Sequence, residues 1–221
     1  MRPEKLIRPE KLDHVALFVS DPESVSATLC GRLPFRVIER TDEFVLVGRA
    51  PELGKITLFR ARGPRDRGAL LHIGIGVPCA AAATSLDAGE GLTAELVPAP
   101  AEGEVELEHV GLLVPDPVAS AQAWLAFGLE RASRVGPVER VQLGGAFVEF
   151  HPGKPSVTDR PLLNHVGLLV ESLADVRDSV AEQGVHVFRE VDAANSTAIF
   201  VRGPDDVELE YIEHKPSFVL A

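Results

Sequence analysis

Four times along the chain a histidine stands one residue ahead of a short apolar run: Asp13-His14-Val15-Ala16-Leu17, Leu71-His72-Ile73-Gly74-Ile75, Glu108-His109-Val110-Gly111-Leu112 and Asn164-His165-Val166-Gly167-Leu168. A recurring strand with a polar residue at one fixed place is the mark of a copied module, and it restricts the fold to one built from that module. Imidazole is a common metal ligand, so the same recurrence points to a site.

Each histidine strand is followed by helix punctuation. Asp116-Pro117 opens a helix that runs to Gly128, with aspartate as cap and proline at the first helical position. Leu173, Val176 and Val180 recur at helical spacing before Gly184, and Asp21-Pro22 opens a third helix that Gly31 closes. In the second copy Pro78 and an alanine run up to Gly89 predict the corresponding helix.

Behind the helices lie strand-like stretches, over 35–38, 44–47 and 56–59 in the first copy. In the third they cover 129–135, 138–143 and 146–150, and in the fourth 185–191, 197–201 and 207–212, parted by Gly-Pro and Gly-Gly turns. These copies read βαβββ. Between Gly91 and the third histidine strand there is room for one strand and the linker Pro98-Ala-Pro-Ala-Glu-Gly103, so the second module is read as truncated and as lacking a final glutamate. His72 follows His14 by 58 positions and His165 follows His109 by 56, but His109 follows His72 by only 37. That spacing predicts two halves, 12–100 and 104–214, with a leader at 1–11, where RPEKL recurs, and a tail at 215–221.

Side-chain alternation puts His109, Gly111 and Leu113 on one face of their strand, and Phe147, Glu149 and His151 on one face of theirs. Glu208 and Glu210 share a face in the last strand. A carboxylate inside an apolar β segment needs a partner. A histidine from the first strand and a glutamate from the last, contributed by two modules, predict a His2Glu2 set for a divalent cation of the Zn, Ni, Co, Mn or Fe(II) kind.

The βαβββ repeat, the D/E/N-H-V-G-L-L-V strand and the closing Gly203-Pro204-Asp205-Asp206-Val207-Glu208-Leu209-Glu210-Tyr211 resemble the vicinal oxygen chelate superfamily. Glyoxalase I, bleomycin-binding proteins and extradiol dioxygenases belong to that group. The resemblance covers nearly the whole chain. It implies an α+β fold of repeated βαβββ modules forming two curved, mixed-sheet open barrels. By position it puts metal ligands on His109, Glu149, His165 and Glu210, with Glu149 or Glu210 also serving as catalytic base. It implies a metal-dependent enzyme of the glyoxalase type, acting on a small oxygenated substrate by bidentate chelation and proton abstraction. An Fe(II) dioxygenase of the extradiol type and a non-catalytic small-molecule binder are the alternatives. Against the dioxygenase, Phe200 stands where that group has a tyrosine, and no upstream histidine matches its acid/base residue.

The first half keeps His14 and His72 but reads Ile56-Thr57-Leu58 where the second has Val148-Glu149-Phe150. It is therefore expected to be metal-free scaffold, with both histidines as remnants and with His186 and His214 on the surface. The arginines of 60–67 read as a solvated linker that could attract an anion.

A net charge of −11 gives no electrostatic reason to bind nucleic acid or an anionic membrane. Cys30 and Cys79, the two cysteines, form no C-x-x-C pair, and a reducing cytoplasm is expected. No apolar run approaches a membrane span. Because family members often pair modules between chains, the resemblance also implies a homodimer.

Overall fold

The computed structural model of the chain describes residues 7–50, 53–78, 83–100 and 102–216. The first module comprises β1 (Pro9–Val19), α1 (Pro22–Arg32), β2 (Arg36–Arg40), β3 (Phe44–Gly48) and β4 (Lys55–Arg60). The second has only strands: β5 (Leu70–Pro78), β6 (Thr84–Gly89) and β7 (Leu92–Ala99). The third is β8 (Glu106–Val114), α2 (Pro117–Trp124), β9 (Glu130–Arg131), β10 (Glu139–Leu143) and β11 (Ala146–Pro152). The fourth is β12 (Leu163–Val170), α3 (Leu173–Glu182), β13 (Val187–Asp192), β14 (Ser196–Arg202) and β15 (Glu208–His214).

The helices start where the sequence punctuates them. Asp21 caps α1 through the amide of Ser24, Asp116 caps α2 through Val118 and Ala119, and Ser172 caps α3 through Asp175. The helix expected after Pro78 does not form among the described residues. Residues 79–82 of the alanine run lie outside them, and Thr84–Gly89 is an edge strand paired antiparallel with β7. The turn joining these strands holds Gly89, Glu90 and Gly91 at positive φ, a path that the two glycines allow. The Glu90 carboxylate accepts the amides of Ser20 and Asp21, both at 2.6 Å, tying this hairpin to the start of α1.

Two mixed sheets result, in the orders β13-β14-β15-β12-β1-β4-β3-β2 and β6-β7-β5-β8-β11-β10-β9. Within every module the first strand runs parallel to the last, and the two modules of each sheet are joined through one antiparallel pair, β1·β12 or β5·β8. The first module therefore shares a sheet with the fourth, and the second with the third. This differs from the predicted halves 12–100 and 104–214. Spacing groups sequence neighbours, whereas strand pairing joins the two outer modules to each other and the two inner modules to each other. The leader is also shorter than expected, since Pro9 already pairs with Val170.

Alternation divides each strand cleanly. Val15, Leu17, Val110, Leu112, Val166 and Leu168 point into one apolar cluster that also takes up Leu29 of α1, Trp124 of α2 and Val180 of α3. Residues of both sheets and all three helices thus share one core, on the faces away from the histidines. The Tyr211 hydroxyl donates to the Phe127 carbonyl at 2.9 Å, and burial pushes this phenol up. No helix among the described residues is long and apolar enough to cross a membrane.

Candidate metal centres

The module geometry places a histidine on each first strand and, on the last strand, a residue facing the position two beyond that histidine. In parallel register Ala16 faces Thr57, Gly74 faces Glu95, Gly111 faces Glu149 and Gly167 faces Glu210. Three of these four last-strand residues are glutamates. The antiparallel pairs then set each histidine opposite the small residue of its partner module: His14 opposite Gly167, His165 opposite Ala16, His72 opposite Gly111 and His109 opposite Gly74. A Cβ built on Gly74 would lie 2.0 Å from the His109 ring, and one on Gly111 or Gly167 would lie 2.4 Å from His72 or His14. The repeated glycine is thus the seat of the opposing imidazole.

In the eight-stranded sheet His14, His165 and Glu210 converge, all nearly buried. Their Nε2 atoms are 2.9 Å apart, and Glu210 Oε2 lies 3.0 Å from His14 Nε2 and 2.9 Å from His165 Nε2. Metal bonds of about 2.1 Å separate neighbouring octahedral ligands by about 3.0 Å and tetrahedral ones by about 3.4 Å. The three donor atoms match one face of an octahedron. Thr57, the residue of the first module at the place of Glu210 in the fourth, brings no carboxylate.

The ring of His14 is held from behind. Its Nδ1 lies 2.9 Å from the carboxylate of Asp13, which also accepts from Lys55 Nζ at 2.9 Å and faces His214 Nε2 at 3.2 Å. Burial opposes charge on His14, but its bonds to Asp13 and Glu210 outweigh this and push its pKa up to about 9. Burial likewise works against the charge of Glu210 and Asp13, yet hydrogen bonds from the histidines, with Lys55 acting on Asp13, hold both carboxyls well below the usual range. For His165 burial dominates over Glu210 and lowers the pKa. Its Nδ1 is buried without a hydrogen bond, and Phe200 stacks edge-on against its ring with centroids 5.2 Å apart.

In the seven-stranded sheet His72 and His109 bring their Nε2 atoms to 2.9 Å, with Glu95 Oε2 at 3.1 Å from His72 and 3.8 Å from His109. Glu149 Oε2 is 3.7 Å from His109 Nε2 and 3.2 Å from His151 Nε2. Glu108 contacts His109 Nδ1, as Asp13 does His14. Burial, then the charges of His109 and His151, lower the His72 pKa to about 4. Glu149 is partly buried, which raises its pKa, but His151, His109 and Arg140 outweigh this and lower it. This cluster is looser and more open, Glu95 being 35% exposed.

The four ligands expected from the sequence are therefore split. His165 and Glu210 stand in one sheet and His109 and Glu149 in the other, and no cluster of donor atoms within 4.8 Å of one another unites them. Modules three and four do not share a sheet, so their histidine strands never become neighbours. His14 and His72, expected as remnants, complete the two clusters. Glu95 was missed because 92–97 read as a remnant before a linker, although it alternates between Ala94 and Leu96 like its counterparts. Of the three glutamates in β15, Glu210 points at the histidines, whereas Glu208 pairs with Arg202 at 3.2 Å and Glu213 accepts from the amide of Leu173. His186 is exposed as expected, but His214 belongs to the Asp13 network.

A cavity of about 700 Å3 is lined by Phe18, Leu163 and Glu208, which alternation puts on the face of His14, His165 and Glu210, although none of those three lines it. Phe18 and Glu208, which line it, lie one side-chain row beyond Ala16 and Glu210.

No family model and no curated protein matches the sequence. Among solved structures, the chain is similar to the "putative dioxygenase" from Bacillus subtilis at 18% identity, covering 95% of this chain and 86% of that one with a TM-score of 0.75. Glyoxalase I from Zea mays matches at 14% identity, over 92% of both chains, with a TM-score of 0.69. The cppA protein from Streptococcus pneumoniae matches at 14% over 93% of this chain and 98% of that one, with a TM-score of 0.61. Across these matches and the four-module register the chain carries a glyoxalase-like fold of repeated modules.

Proposed function

We propose that the chain is a divalent-metal-dependent enzyme whose working centre is His14, His165 and Glu210, and that it acts on a small substrate through two adjacent oxygens. The observation that carries this reading is the spacing of the three donor atoms, 2.9–3.0 Å apart on all sides, beside a cavity on the same face. A cation held there supplies Lewis acidity and open positions for the two substrate oxygens. Two histidines and one carboxylate with open positions are the donor set of non-haem Fe(II) oxygenases, which favours oxygen-dependent chemistry at this centre.

The residues around the centre have distinct tasks. Asp13 fixes the His14 ring and its tautomer through Nδ1, leaving Nε2 for the cation. Lys55 neutralises Asp13, so this carboxylate can stay buried. Phe59 and Phe200 flank His165 and keep water from that side of the substrate.

A second reading rests on the other sheet. His72 belongs to two triads, one with Glu95 and His109 and the other with Glu149 and His151, which together offer donors of the His2Glu2 type though not the four residues the resemblance implies, and in this reading Glu149, paired with His151, carries a proton as a glyoxalase-type base. This reading predicts turnover without oxygen and its loss in Glu149→Gln.

Elemental analysis and oxygen uptake decide between them. Protein loaded with Fe(II) is expected to consume oxygen with a catechol substrate, and His14→Ala and Glu210→Ala should abolish both iron retention and uptake. Protein that retains no Fe, Zn, Ni, Co or Mn when all are supplied in excess would sink both readings.

A further inference from the structure

Two linkers cross between the sheets, one from β4 to β5 and the other from β11 to β12, and they are zipped together over the cavity. Asp66 N donates to Arg160 O at 3.0 Å, Leu162 N to Asp66 O at 2.7 Å, and the Thr158 hydroxyl to the Asp66 carboxylate at 2.6 Å. Arg160 ties the same strap by donating to the carbonyls of Arg62 and Pro64. Arg65 is thereby fixed at the cavity wall, with its guanidinium 4.7 Å from the Phe18 ring centroid.

Beyond its stacking on Phe18, Arg65 makes no ion pair among the described residues. Its Nε is buried without a hydrogen-bond partner, and among the described residues no carboxylate comes within 4.0 Å of its guanidinium. The other charges in the wall are mostly committed. Arg202 pairs with Glu208 and Asp206, and Asp205 accepts from Ser120 and Trp124. Arg189 lies over Phe200, and Asp159 is exposed. An arginine held stacked, with one buried donor unsatisfied, is preorganised for an anion.

An aromatic wall links this arginine to the centre. Phe18 stands 6.2 Å from Phe59, and Phe59 stands 6.3 Å from His165, measured between ring centroids. Along β1 the row of Phe18 lies about 7 Å beyond the row of Ala16, which faces His165, and about 13 Å beyond His14.

We infer that Arg65 is the recognition site for an anionic group, carboxylate or phosphate, on an arm reaching about 7–13 Å from the metal-binding oxygens. The substrate class is then an aromatic or similarly flat compound with adjacent oxygens at one end and an anion at the other. The assignment of the oxygen-bearing end rests on the metal-centre reading above. The anion subsite does not.

The test separates the two. In the metal-free full-length chain, 3-phenylpropionate and 2-phenylethyl phosphate are titrated by ligand-observed NMR against wild type and Arg65→Met, which keeps the apolar cover over Phe18. Binding of either anion weakened about tenfold to a hundredfold by Arg65→Met supports the subsite, and the tighter of the two identifies the group. Equal binding to wild type and Arg65→Met, or binding of neither anion to wild type, overturns it. In the Zn(II)-loaded chain, calorimetry compares 3-(3,4-dihydroxyphenyl)propionate with its neutral amide. Arg65→Met should remove the preference for the acid and leave the amide's affinity and the zinc content unchanged. An acid preference that survives Arg65→Met also overturns the subsite. Arg65-dependent anion binding in a chain that holds no metal leaves the subsite standing and removes the metal-centre reading.

Discussion

Replacing Gly167 by alanine tests whether the glycine opposite each histidine is there to seat a ligand ring. The added Cβ would stand 2.4 Å from His14 Cε1, 2.5 Å from Nδ1 and 2.9 Å from Nε2. Ordinary contact is about 3.5 Å, so the ring must retreat by about 1 Å. Ala16, opposite His165, shows that a methyl group in this place is compatible with the sheet if the ring leans away. The cost to the metal-free fold should therefore be that of modest overpacking, about 1–3 kcal/mol, or about 2–12 °C in Tm for a chain of this length. The cost to a metal is larger, because a ligand bond tolerates only about 0.2 Å. His14 would also leave the carboxylate of Asp13, now 2.9 Å from Nδ1. Loss of the His14 bond should lower Co(II) affinity at this centre by about a hundredfold or more, read by equilibrium dialysis and by the d–d spectrum. Gly74→Ala, which crowds His109 in the other sheet, is the paired control and should leave this centre intact. Unchanged Co(II) affinity and spectrum in Gly167→Ala would refute the reasoning, whatever the change in Tm.

Asp13→Asn should weaken metal binding about tenfold to a hundredfold by releasing the His14 ring. It should also destabilise the fold by about 3–5 kcal/mol, since the buried carboxylate that accepts from both Lys55 and His14 is lost, and urea titration of the metal-free protein reads that cost. The pH dependence has a definite sign. His14 rises from an ordinary 6.5 to about 9 on folding, so its stabilising share is complete below pH 6.5 and lost as pH climbs through 9. That share is on the order of 3 kcal/mol. Metal-free wild type should weaken in urea between pH 6.5 and 9.5 while His14→Gln shows a flatter profile, and a flat wild-type profile would contradict the reading. Excess Zn(II) should load two equivalents into wild type and one into Glu95→Gln, whereas equal loading of the two proteins would remove Glu95 from the second centre.

The strand faces and helix starts are legible in the sequence, whereas the grouping of His109, Glu149, His165 and Glu210 into one set is not what the sheets bring together. The apolar face of β8 is explicit in Val110 and Leu112, and the face of His109 and Gly111 follows from alternation alone. Aspartate and proline at 21–22 and 116–117 mark helix starts where the helices begin. Glu95 is hard to recognise because its strand sits in a module without a helix among the described residues, so it lacks the βαβββ spacing that marks Glu149 and Glu210. The alanine run ahead of Thr84 suggested a helix by composition, but Thr84–Gly89 gains its hydrogen bonds as an edge strand along β7.

By itself the sequence determined the module: its strand faces, its helix caps, and the presence of imidazoles and carboxylates at repeating places. These are local consequences of alternation and capping, which act over a few residues. Which imidazole meets which carboxylate was decided only by the tertiary structure. Strand pairing between distant modules is set by burying all the apolar faces in one core, and local pattern carries no record of it. The outer modules close on each other, and that choice brings His14 to Glu210, His72 to His109, and Arg65 to the wall of the cavity beside them.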